Sequence, residues 1–263
     1  MTDPEGPATI LPVNTSPPFL LGARLLPERV GDAHAHPFNL PVLQNLDLSV
    51  TSPVTIFLGE NGSGKSTLLQ ALAVLCRLPA GGGGRNELGY EYGVPADLAA
   101  PLAAALRPAF RRHPQQAWFF RADMQAHFSS ALAERGGRHA YTSDADALFA
   151  DRDLHTLSHG EAFLATIHNR ARNGLIFLDE PESALSPQRQ LSLLALLARA
   201  VRAGHTQVFM ATHSPIMMTF PGATLLSFDG GQISPIQLER TSHYEITRGV
   251  LEHPERYWKH LLE

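Results

Sequence analysis

Cysteine is nearly missing: Cys76 is the only one in 263 residues. A single thiol closes no intrachain disulfide and builds no cysteine-ligated zinc centre. The usage suits a reducing setting, and a cytoplasmic location is expected. Long apolar runs are missing too. A membrane-crossing helix needs about 18 or more consecutive apolar residues, yet the greasiest stretch, 191–201, is broken by Ser192 and Arg199 and followed by Arg202. Direct membrane insertion is therefore not expected. The opening Met1-Thr2-Asp3-Pro4-Glu5 is acidic, unlike the basic and then apolar start of a secretory leader. Positive charge is in deficit as well: 21 Lys and Arg against 25 Asp and Glu leave a net charge of −4. That excludes a chain that coats nucleic acid through bulk charge, while leaving room for a local basic patch. Internal repeats and sustained heptads are absent.

What is present is an ordinary apolar fraction, 44%, enough for a sizeable core. Residues 1–18 are rich in Pro, Thr and Ser and read as a flexible arm. Residues 19–53 mix short apolar runs with prolines and suit short strands. Val54-Thr55-Ile56-Phe57-Leu58, Leu175-Ile176-Phe177-Leu178 and Gln207-Val208-Phe209-Met210-Ala211 are continuous apolar, β-prone runs, the pattern of buried strands. Helical spacing marks 66–78, 161–172 and 191–203. The interval 79–157 opens on a glycine-rich loop. From 95 onward it reads as largely helical, with one strand-like interruption at Ala117-Trp118-Phe119-Phe120. Strands alternating with helices predict an α/β fold with a mostly parallel sheet, and the whole chain, 1–263, reads as one domain.

The chemistry concentrates after the first buried strand. Residues 59–67 read Gly59-Glu60-Asn61-Gly62-Ser63-Gly64-Lys65-Ser66-Thr67, the pattern of a phosphate-binding loop. The glycines let backbone N–H groups approach phosphate oxygens, and the following helix turns its partly positive end toward them. Lys65 supplies a point charge for the β- and γ-phosphates, and the Ser66 hydroxyl a ligand for Mg²⁺. The second strand ends in Asp179-Glu180, one carboxylate to orient Mg²⁺ and one to polarise the attacking water. Leu157-Ser158-His159-Gly160-Glu161 precedes a helix, where Ser158 reads either as an ordinary N-cap or, with Gly160, as a donor to an anion. His213 follows the third strand; taken alone it reads as a surface or turn residue, with contact to a terminal phosphate as the alternative.

In this order and spacing the elements resemble the ATP-binding-cassette (ABC) ATPases, over about residues 19–230. Residues 59–66 resemble Walker A, and 157–161 the family signature, usually Leu-Ser-Gly-Gly-Gln. Residues 175–180 resemble Walker B, 183–186 the D-loop, and His213 the switch histidine. The signature departs, reading Ser-His-Gly-Glu, and the D-loop ends in Ser186 where Asp is usual. These departures resemble the non-transporter, bacterial "AAA family predicted ATPase" group, akin to chromosome-maintenance and double-strand-break-repair heads. The interval of about 90 residues between Walker A and the signature, broken by prolines and glycines, leaves no room for their coiled-coil arms. It fits a compact helical lid at about 79–157.

The resemblance implies a P-loop NTPase fold with an ABC-type core, an antiparallel β edge and the inserted lid. It implies ATP and Mg²⁺ as cofactors, hydrolysis to ADP and phosphate, and an ATP-dependent homodimer. Ser158, Gly160 and Glu161 of one copy would act in trans on the nucleotide held by the other. Lys65, Glu180 and His213 would be catalytic, and Ser66 and Asp179 the metal-binding residues. The client is a protein or nucleic acid that the sequence does not name. The alternatives are the nucleotide-binding subunit of an ABC transporter and a poorly hydrolysing ATP sensor. Either Asp123 or Gln125 is placed for the Q-loop role.

Weaker features have plainer readings. Asp32, His34 and His36 suit a metal only if they share one strand face. Phe38 reads as a core residue rather than an adenine platform. Arg107, Arg111, Arg112 and His113 form a basic cluster, with Arg121 further on at the end of the strand-like run; the cluster reads as a solvated helix face, with contact to nucleic-acid phosphates as the alternative. The amphipathic segment 241–263 is expected to pack back on the domain.

Overall fold

A computed structural model of the chain describes residues 17–85, 99–121, 159–170 and 173–262. Residues 1–16 of the N-terminal arm, Ser158, Asp123 and Gln125 lie outside them. Two sheets organise the molecule. The smaller is antiparallel: β1 (Leu20–Leu25) lies between β2 (Asp47–Ser49) and β5 (Leu106–Phe110). The larger has seven strands in the order β10, β9, β3, β8, β7, β6, β4. Its centre consists of β3 (Val54–Leu58), β6 (Ala117–Arg121), β7 (Gly174–Asp179), β8 (Thr206–Ala211) and β9 (Thr224–Ser227), all parallel. The short strands β4 (Gly83–Gly84) and β10 (Ser234–Pro235) run antiparallel at its two edges. A mostly parallel sheet with an antiparallel β edge is the architecture expected from the sequence.

The three apolar runs are β3, β7 and β8, and every residue in them is buried. A strand turns successive side chains to opposite faces, so each run feeds two cores. Phe57, Phe119, Phe177 and Phe209 line one face with α2 (Lys65–Leu75), α3 (Ala100–Ala105) and the small sheet. Within that row Phe177 stacks on Phe209, centroids 5.5 Å apart at 15°. Ile56, Leu58, Ile176, Leu178, Val208 and Met210 face the other way, toward α4 (His159–Arg170) and α5 (Pro187–Arg202). Double-sided burial is why these strands read as unbroken apolar runs rather than alternating ones.

Helix limits shift modestly from expectation. The helix expected at 191–203 starts earlier because Pro187 occupies its first turn after Ser186, where a missing N–H costs nothing. Where it is described, the interval 79–157 is not mainly helical: it contributes α3 and three strands, two of them in the central sheet's register. Residues 86–98 and 122–158 of that interval lie outside the described residues. Arg107 is therefore a strand residue, not part of a helix face, while Arg121 ends β6, as the strand-like run there predicts. Asp32, His34 and His36 lie in exposed turns, with the Asp32 carboxylate accepting from the His34 N–H at 2.8 Å. Phe38 is buried in the core.

The described residues hold four further α-helices: α1 (Pro41–Gln44), α6 (Pro215–Met218), α7 (Ser242–Glu252) and α8 (Pro254–Leu262). The C-terminal pair packs back only in part. Thr241 is buried, and a Cβ at Gly249 would lie 2.2 Å from the Tyr257 hydroxyl. Leu251, Trp258, Leu261 and Leu262 remain exposed. No described helix is long and apolar enough to cross a membrane.

Candidate nucleotide site

In parallel α/β sheets ligands bind beyond the carboxyl ends of the strands. Here the carboxyl ends of β3, β7, β8 and β9 are stitched by backbone hydrogen bonds. Phe228 N donates to Leu58 O at 2.8 Å, Thr212 N to Phe57 O at 3.2 Å, and Glu180 N to Ala211 O at 2.9 Å. Gly59, Asp179, Glu180 and His213, distant in sequence, therefore share one edge.

Residues 59–64 leave β3 and turn into α2. Gly59 and Gly64 have φ of 140° and 101°, values that L side chains rarely adopt. A Cβ at Gly59 would lie 2.9 Å from Asp229 Oδ1, and one at Gly64 would press on Val42 and Leu40. The loop is thus a cradle of bare backbone. Glu60 and Asn61 point outward, while Ser66 and Thr67 sit half-buried in the first turn of α2. Ser63 Oγ is buried without a hydrogen-bond partner, a donor held ready for an anion.

Lys65 is 4% exposed, and its Nζ donates to Gly59 O at 2.8 Å and Glu60 O at 2.9 Å. Burial lowers its pKa, against the opposing pull of Glu180, Asp229, Asp179 and Glu60. The ammonium is therefore poorly solvated and surrounded by carboxylates, a state that phosphate oxygens can relieve.

Ser66 Oγ donates to Asp179 Oδ1 at 2.7 Å. Burial pushes the Asp179 carboxyl up to about 6, although hydrogen bonds from Ser66 and Gln70 and the nearby Arg121 charge oppose the rise. Arg121 stands opposite Asp179 in the pairing of β6 with β7. No group of three or more His, Cys, Asp or Glu among the described residues forms a metal cage. That fits Mg²⁺, which takes one or two protein oxygens and completes its octahedron with phosphate and water. The hydroxyl–carboxylate pair Ser66–Asp179, beside a phosphate cradle, is such a donor set.

Glu180 adopts φ 47°, ψ 51°. A left-handed backbone at a residue with a side chain costs about 1 kcal/mol or more, and such outliers gather at functional sites. The Glu180 carboxylate Oε1 lies 3.6 Å from His213 Nε2. His213 is itself held by the Glu182 carboxylate, whose Oε1 accepts from His213 N at 2.6 Å and from Ser214 N at 3.2 Å. Burial and the Lys65 charge lower the His213 pKa, outweighing Glu180, so its ring is neutral near pH 7.

Gly160 and Glu161 lie in the first turn of α4, and Glu161 Oε1 pairs with Arg189 Nη2 at 3.4 Å. Two contributors were not singled out from sequence. Glu182 is one. Asp229 is the other: its Oδ1 accepts from Glu60 N at 3.0 Å, and its Oδ2 accepts from Ser227 Oγ at 3.1 Å. An aspartate after a short strand carries no recognisable pattern; only the neighbouring of β9 and β3 brings it to the loop. Asp229→Ala is expected to weaken ATP binding about five-fold, the worth of one backbone hydrogen bond. Asp229→Asn, which keeps the acceptor, should change it less than about two-fold. An unchanged ATP affinity in the alanine variant, by calorimetry, would exclude Asp229 as a brace of the loop.

The chain is similar to known proteins. Residues 160–219 match the family described as "AAA domain, putative AbiEii toxin, Type IV TA system", and residues 37–89 match "AAA domain". The hemin import ATP-binding protein HmuV of Rhodopseudomonas palustris is 30% identical over 224 residues, 77% of this chain and 80% of the relative. This chain belongs to the ABC-type ATPases. The macrolide export ATP-binding/permease protein MacB of Neisseria meningitidis is 29% identical over 206 residues. This ATPase spans only 31% of that exporter's length. Among solved structures, the SMC head domain from Thermotoga maritima is similar over 83% of this ATPase and 99% of that chain, at 16% identity and a TM-score of 0.45.

Proposed function

We propose that this ABC-type ATPase hydrolyses ATP as a nucleotide-sandwiched homodimer and passes the resulting closing and opening to a partner. The observation that carries the proposal is the convergence of Lys65, Ser66–Asp179, Glu180 and His213 on one sheet edge, around a loop of bare backbone. In this reading Gly59 to Thr67 hold the triphosphate, with Lys65 on its terminal phosphates. Mg²⁺ on Ser66 and Asp179 would neutralise phosphate charge. Glu180 orients the attacking water and accepts its proton, while neutral His213 donates to the terminal phosphate. Ser158, Gly160 and Glu161 of the second copy close the sandwich, so closure persists only while the terminal phosphate bridges the two chains.

The relatives named for hemin import and macrolide export support a membrane permease as the partner, the alternative raised by the sequence. The AAA-domain match at 160–219 and the Ser-His-Gly-Glu signature support a second reading, a switch acting on a soluble protein or on DNA.

Glu180→Gln tests the core of the proposal, because glutamine keeps the backbone and the shape but cannot take up the proton. Its solution mass, by light scattering after gel filtration, should double with Mg-ATP and stay monomeric without it. A mass unchanged by saturating Mg-ATP would remove the sandwich. The same variant, loaded with ATP, should cosediment with membranes from its own host if a permease is the partner. Recovery in the supernatant instead would favour the soluble client.

A further inference from the structure

His213 has a neighbour that none of the motifs contains. Its Nδ1 stands 3.1 Å from Nε2 of His243, with ring centroids 5.2 Å apart and planes tilted by 53°. His243 lies in the first turn of α7, and Thr241 anchors that turn. The Thr241 hydroxyl donates to Leu238 O at 2.7 Å and accepts from Tyr244 N at 3.3 Å, and the residue is buried.

A nitrogen–nitrogen contact of this length shares one proton, given by one ring and accepted by the other. The surroundings decide which. Were His213 the donor, its Nε2 would carry a bare lone pair facing the Glu180 carboxylate 3.6 Å away, two acceptors opposed. With His243 as donor, the His213 proton sits on Nε2 and faces that carboxylate. His213 Nε2 is buried and, among the described residues, has no hydrogen-bond partner, which leaves the N–H to an arriving anion. Lys65, Glu180, Glu182 and His243 are the charged and titratable groups around His213, and burial with Lys65 keeps the ring neutral. A neutral ring carries one proton, so its tautomer matters.

We propose that His243 is a positioning residue that donates from Nε2 to His213 Nδ1 and so holds His213 in the Nε2–H tautomer, the form able to donate to the terminal phosphate. The effect on turnover rests on the role given to His213 above; the tautomer itself does not. The second ring nitrogen's hydrogen bond commonly sets which nitrogen of a histidine is available. Here the partner comes from the C-terminal helices, beyond the last nucleotide motif.

The test uses the full chain, ¹⁵N-labelled and without nucleotide. Two-bond ¹H–¹⁵N correlations of the imidazoles, with His213 assigned from the spectrum of His213→Ala, should show the Nε2–H pattern in the wild type. His243→Phe, which keeps a ring but no donor, should give a mixture of tautomers. It should also lower kcat about ten-fold with the KM for ATP changed less than about two-fold. His243→Gln, whose amide nitrogen can take the place of Nε2, should recover most of both and serves as the folding control. An Nδ1–H pattern in the wild type, or a pattern untouched by His243→Phe, would overturn the proposal. Full turnover by His213→Ala would instead overturn the role of His213, and the ring shifts keep the two failures apart.

Discussion

Replacing Lys65 by alanine is expected to lower ATP turnover by at least roughly 10³-fold, the scale of losing a preorganised charge from a water-excluded site. The reason lies in how the ammonium is kept. Among the described residues it donates to two carbonyls of the loop it serves, and its burial has already removed much of its water. Phosphate oxygens thus meet a cation that needs little further desolvation. The variant also leaves Asp179, Glu180 and Asp229 without the cation that moderates their mutual repulsion, so added Mg²⁺ alone should not restore turnover. Steady-state phosphate release, with folding checked by circular dichroism, makes the measurement. Turnover within a few-fold of wild type would refute the placement of the triphosphate on this loop.

Asp179→Asn should act in two opposed directions. Turnover should fall by about 10² or more, because a neutral amide is a poor Mg²⁺ ligand. Stability of the metal-free protein should rise. The Asp179 carboxyl titrates at about 6 in the fold against 3.8 ordinarily. The native state therefore holds this proton more tightly than the unfolded chain does. That preference stabilises the fold fully below about pH 4 and is lost as the pH climbs through about 6, a swing of about 3 kcal/mol at most. Asparagine carries no such penalty. At about pH 7.5 the variant should unfold some 4–8 °C higher, and the gap should close toward about pH 4. Mg-ATP should raise the wild-type midpoint and hardly move that of the variant. A variant less stable than wild type at neutral pH would refute the desolvated carboxylate.

Most of the site's parts were legible because they are local. The loop at 59–67 carries its own glycines, lysine and hydroxyl within one turn, and Asp179-Glu180 closes a strand whose apolar run announces itself. The buried strands were legible for the same reason: both faces of β3, β7 and β8 are covered, so no polar residue interrupts them. The remainder depends on pairing between distant segments. Asp229 reaches Glu60 because β9 lies beside β3, and His243 reaches His213 because α7 begins at an anchored threonine. Neither follows from spacing along the chain. The helical reading of Arg107 failed through composition, since alanine and leucine upstream resemble a helix, while pairing with β1 draws this residue into a sheet. Tertiary pairing overrides such local preference.

The left-handed backbone at Glu180 has a consequence for how copies of this gene would age. Glycine adopts that conformation freely, and asparagine more readily than most residues. Glutamate is held there against its preference, at a cost in stability. A lineage released from the need to split ATP gains stability by drifting to glycine or asparagine at position 180. Homologues bearing either residue there should melt at higher temperature, bind nucleotide without consuming it, and mark the branches where the engine has become a scaffold.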